Sequence, residues 1–96
     1  MFTALEMRRV GQARRRDGNE AAIISALEAI GVTTIPLSAA GVPDLLVWHP
    51  QHGFRLLEVK QARGRLTAAQ TVMRTKLPFT VVHSVAEALS LYGVKS

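Results

Sequence analysis

Cysteine is absent from the 96 residues, which excludes a disulfide framework and any thiolate-held zinc. Long apolar runs are missing too, and none approaches the roughly 18–20 residues of a membrane span. The start, Met1 to Arg9, lacks the apolar stretch that follows the charges of a secretory signal peptide. The chain therefore reads as cytoplasmic, with no membrane partner. Aromatic residues make up only 5% and acidic residues number seven. Against these gaps stands a hydrophobic share of 48%, too high for a disordered tail. The length suits one domain, which at this size buries only about 60–65% of the surface of its unfolded chain. No internal repeat or low-complexity segment interrupts it.

Charge is uneven. Twelve Lys and Arg against seven Asp and Glu give +5, and Arg8, Arg9, Arg14, Arg15 and Arg16 crowd the beginning. Lys60, Arg63 and Arg65 form a second cluster. A small domain with this balance is drawn to polyanions, nucleic acid first. Arg14, Arg15 and Arg16 precede a helix start, where the macrodipole disfavours cations, so phosphate binding explains them better than helix stability does. The expected organisation is a basic arm over 1–16 followed by a single domain over 17–96.

Within that domain, Ile23, Ala26, Leu27 and Ile30 recur at helical spacing, and Gly31 is a stop signal. Val32 to Leu37 reads as a short strand near an edge because of Pro36. Asp44 to His49 is apolar on both faces, which implies cover from both sides. A turn at Pro50 to Gly53 then returns Phe54 to Lys60 as a hairpin partner. A helix from Thr67 to about Lys76, a strand over Phe79 to His83 and a helix from Ser84 complete the order α-β-β-β-α-β-α. The late strand–helix–strand unit calls for parallel pairing. The expected fold is α/β, a small mixed β-sheet flanked by helices.

Two acids occupy odd places. Asp44 opens an apolar strand, and Glu58 lies among Leu56, Leu57 and Val59. A carboxylate on a covered strand is costly unless paired or metal-bound. Side chains two apart on a strand share a face, so Glu58 and Lys60 project together, and a neighbouring strand can bring Asp44 to them. Paired hard oxygens suit Mg²⁺ or Mn²⁺. A lysine beside the metal can orient the attacking water or steady charge on phosphate. The rival reading is a Glu58–Lys60 ion pair, with Asp44 capping a turn.

Pro43-Asp44, followed after a hairpin by Glu58-Val59-Lys60, resembles the PD-(D/E)xK nuclease signature, and the details are similar to its VRR-NUC branch. Glu20 in the opening helix and Gln70 after Leu66-Thr67 stand where that family has a metal-binding glutamate and a glutamine. The resemblance runs from about Asp17 to Tyr92 and implies a restriction endonuclease-like core that hydrolyses DNA with Mg²⁺ (Mn²⁺ as a substitute). No small-molecule cofactor is implied. It further implies Asp44 and Glu58 as metal ligands, Glu20 as an auxiliary ligand, and a backbone carbonyl from Val59. Lys60 becomes the water-positioning or charge-stabilising group, and Gln70 orients a phosphate or Lys60. Single-domain members resemble Holliday junction resolvases and act as homodimers on branched DNA in phage or bacterial settings. Arg14, Arg15, Arg16, Arg63 and Arg65 would contact the DNA.

Asp17-Gly18-Asn19-Glu20 and Thr67-Ala68-Ala69-Gln70 also have capping spacing, so Glu20 and Gln70 have purely structural alternatives. His49 and His52 offer two imidazoles with no third ligand nearby, which does not indicate zinc. Trp48, Phe54, Phe79 and Tyr92 have the spacing of core or subunit contacts. The competing functions are a non-catalytic nucleic-acid-binding module and an accessory subunit of a replication or repair complex.

Overall fold

Alanine, isoleucine and leucine at helical spacing wind α1 (Gly18–Ala29), which buries Ile23, Ile24 and Leu27. This computed structural model describes residues 18–94; the arginine-rich arm lies outside the described residues. Gly31, at φ +87°, turns the chain out of the helix in a conformation that a side chain would strain. Three strands follow as an antiparallel meander: β1 (Thr33–Pro36), β2 (Leu45–His49) and β3 (Gly53–Val59). The helix α2 (Ala68–Lys76) then crosses over to β4 (Thr80–Val82), which pairs parallel to β3. The last helix is α3 (Val85–Ser90).

The sheet order β1-β2-β3-β4 puts β1 at an edge, where Pro36 ends it without an unmet backbone donor. This is the mixed sheet and the element order that the sequence implies. No described helix is long and apolar enough to cross a membrane.

The register decides which residues share a face. Leu45 opposite Leu57, Thr34 opposite Val47 and Val59 opposite Val82 fill the inner face. They meet Ile23, Leu27 and Ala88 from α1 and α3 in one core. Each fully buried Leu, Ile or Val there contributes about 1.5–3 kcal/mol relative to exposure.

The outer face differs from expectation. Trp48 and Phe54, directly opposed, remain 40% and 72% exposed, so β2 is covered on one side only and neither aromatic is core. The reason lies in α2, which buries none of its residues and leans over only the far end of the outer face. Phe79, by contrast, is buried as expected.

Candidate active site at the ends of β2 and β3

Asp44 stands one residue before β2, and its opposite number follows from the register. Leu45 faces Leu57, so one step further sets Asp44 across from Glu58 on the outer face. Like charges directly across an antiparallel pair repel. The Val59 backbone N–H donates to Asp44 Oδ2 at 2.8 Å, which fixes that carboxylate across the strand ends.

Glu58 is 2% exposed. Its Oε2 accepts from Gln70 Nε2 at 2.8 Å and pairs with Lys60 Nζ at 3.1 Å. Its Oε1 is buried with no hydrogen-bond partner among the described residues, a defect that ordinarily costs about 1–3 kcal/mol. Burial first, and the Asp44 carboxylate second, push the Glu58 carboxyl above the usual range; Lys60 pulls it part of the way back. Two carboxylates thus face one another, and one of their oxygens, Glu58 Oε1, has no donor among the described residues. A shared proton or a cation resolves that arrangement, and a pair of hard oxygens fits Mg²⁺ or Mn²⁺, which retain several waters.

Gln70 reconciles its two sequence readings. Thr67 Oγ1 accepts from the Gln70 N–H at 3.2 Å, and Gln70 Oε1 accepts from the Thr67 N–H at 2.9 Å. The cap uses the amide oxygen and the backbone, which leaves the amide nitrogen for Glu58.

The other expected residues fall into place unevenly. Glu20 is in the first turn of α1 and 1% exposed. Among the described residues no three His, Cys, Asp or Glu side chains gather into a metal-binding group. The acidic pair brought together across the strand ends is Asp44 and Glu58. Val59 buries its side chain in the core while its N–H holds Asp44. Arg63 and Arg65 are exposed in the loop after Lys60, and Arg14, Arg15 and Arg16 lie outside the described residues. His49, His52 and Tyr92 cluster at tilted and edge-on angles at the opposite end of the hairpin, with ring centroids 5.0–5.5 Å apart.

Two neighbours of the site escaped the sequence reading. Asn19 donates to the backbone oxygens of Lys60 and His83, 41 and 64 positions away. The His83 ring bridges Glu87 Oε1 at 3.1 Å and the Gly64 oxygen at 3.3 Å. Apart from the His83–Glu87 pair, four positions apart, these contacts lie 19 to 64 positions apart and leave no local spacing to read.

Compared with models of protein families, the chain matches the VRR-NUC domain over residues 6–86. A solved structure titled "VRR_NUC domain" superposes with a TM-score of 0.65 at 23% identity. The match covers 80% of this chain and 97% of that one, a likeness of fold. No curated protein matches.

Proposed function

The chain belongs to the VRR-NUC domain family, nuclease-type domains that act on DNA, and from that premise we propose that it is a divalent-metal-dependent DNA endonuclease. The observation that carries the reading is Glu58 Oε1, buried without a donor among the described residues and set against a second carboxylate. Asp44 and Glu58 would hold Mg²⁺ or Mn²⁺, with Glu20 assisting directly or through water and the Val59 carbonyl alongside. A cation bound there supplies a more acidic water and polarises the scissile phosphate.

The chain's own groups do the rest. Lys60 is an ammonium with three donors, one of them directed to Glu58 Oε2 at 3.1 Å. Its others orient the attacking water or steady charge on the phosphate oxygens. Gln70 keeps Glu58 from turning away, and the Val59 N–H does the same for Asp44. Arg63 and Arg65 draw in the phosphate backbone, as does the 1–16 arm through Arg14, Arg15 and Arg16. Such contacts fix register and carry no base specificity. Branched or four-way DNA is the proposed substrate and a two-fold homodimer the working form, because cutting two strands calls for two sites and symmetric dimers are the commonest assembly.

The test is incubation with labelled linear, flap and four-way DNA in Mg²⁺, Mn²⁺ or EDTA, beside Lys60→Ala. The expected result is incision that needs metal, favours the branched substrates and disappears in Lys60→Ala while DNA binding persists. Salt-sensitive binding with no incision in either metal would identify a binding module instead. Light scattering at twice the 10.5 kDa chain mass checks the dimer.

A further inference from the structure

Asn19 stands in the first turn of α1, and its side-chain amide faces two backbone carbonyls. Nδ2 donates to the oxygen of Lys60 at 3.1 Å and to that of His83 at 2.8 Å. Both partners can only accept, so they dictate which way the amide points. Lys60 and His83 are the first residues beyond β3 and β4. The two strand ends are already joined there by the Lys60 N–H to the Val82 oxygen at 3.0 Å. A primary amide has two donors, and here two acceptors meet them. Together they tie the ends of two parallel strands to the helix turn that carries Glu20 as its next residue.

The opposite side of Lys60 is equally confined. A Cβ built on Gly64 would lie 3.0 Å from Lys60 Cβ and 3.1 Å from the Gln61 oxygen, so the returning loop packs directly on the lysine stem. The His83 ring reaches the same loop at the Gly64 oxygen. Lys60 is thus held at its N–H by β4, at its carbonyl by Asn19 and along its stem by Gly64.

We infer that Asn19 is a positioning residue for Lys60. It sets the backbone from which the ammonium reaches Glu58 Oε2, and it couples that backbone to the α1 turn bearing Glu20. Its consequence for catalysis rests on the nuclease reading above, but its effect on Lys60 does not.

The experiment uses Asn19→Asp, which keeps the shape and removes both donors. Lysines occur only at 60, 76 and 95, so acylation by an amine-reactive ester, followed by peptide mass spectrometry, reports each separately. Lys76 is exposed on α2, whereas the Lys60 side chain is 16% exposed. In the variant, well below its melting temperature, Lys60 should label about 10-fold faster relative to Lys76, because a local restraint has opened. Single-turnover cleavage should fall by about 30- to 100-fold with DNA affinity unchanged, as expected for a displaced group outside the binding contacts. A residue that merely stabilised the fold would leave the Lys60 to Lys76 ratio as it was, and that result overturns the inference. If Asn19→Asp does not fold, Asn19→Ala carries the same comparison; failure of both to fold at 25 °C also overturns it. Faster Lys60 labelling in a protein whose wild type cuts no DNA would keep the positioning role and sink the nuclease reading.

Discussion

The two ends of β3 invert the usual placement of residues. On one face of one strand, Phe54 is 72% exposed and Glu58, four positions along, is 2% exposed. The aromatic end carries a cross-strand pair with Trp48 at 6.4 Å between centroids, open to solvent. The acidic end buries a carboxylate oxygen without a donor among the described residues. Hydropathy therefore does not decide burial here; the reach of the helices does. The helix α2 arrives over Glu58 through Gln70 and leaves the Phe54 end bare. The price in stability at the acidic end is the kind that functional sites carry.

The strongest way to break the contrast is to neutralise the acidic end. Asp44→Asn keeps an oxygen able to accept from the Val59 N–H and removes one of two facing charges. Cleavage should fall by about 10³-fold or more, while melting in chelator stays level or rises. A drop of several degrees in chelator would mean that the pair is a structural device and that the two ends differ less than proposed.

Adding the cation should act next most strongly. With a dissociation constant of about 1 mM, 10 mM Mg²⁺ stabilises the folded chain by about 1.4 kcal/mol. That corresponds to roughly 5–10 °C for a domain of this size. Glu58→Gln should abolish the shift. An equal shift in both proteins would place the cation elsewhere.

Acidity gives a smaller and more selective handle. The Glu58 carboxyl is raised in the folded chain by burial and by Asp44. A raised carboxyl contributes stability that is full below its unfolded value and is lost as pH rises through its folded value. In EDTA, wild type should therefore lose stability relative to Glu58→Gln as pH climbs from the unfolded carboxylate value toward neutrality. Glu87, held low mainly by the His83 backbone N–H, works in the opposite sense, but it is present in both proteins and cancels. Parallel pH curves from denaturant titration would show that Glu58 is not under the stress assigned to it.

Most of this architecture was legible from residue order. The apolar run of β2, the turn that returns β3, the stop at Gly31 and the cap at Thr67 each rest on interactions within a few residues. The pairing of Asp44 with Glu58 was legible as well, because a hairpin fixes register. The bare outer face was not. An apolar run on β2 cannot reveal that α2 would bury none of its residues, since that depends on where a crossover helix lands. Asn19 was hidden for a related reason: its partners Lys60 and His83 lie 41 and 64 positions away, and only the folded sheet brings them to it.

The smallest effect belongs to the aromatic end. Phe54→Ser removes a side chain already mostly in water, together with a tilted pair to Trp48 at 54° between planes. Exposed substitutions of this kind shift stability by about 0.5 kcal/mol or less, and the cross-strand pair adds a few tenths to that. Urea titration at several protein concentrations is the measurement. A cost of about 2 kcal/mol or more would match burial of a whole aromatic side chain, and a cost that grows with protein concentration would locate that burial between two copies. Either would mean that the outer face is covered in solution, so that both ends of β3 are buried and only their chemistry differs.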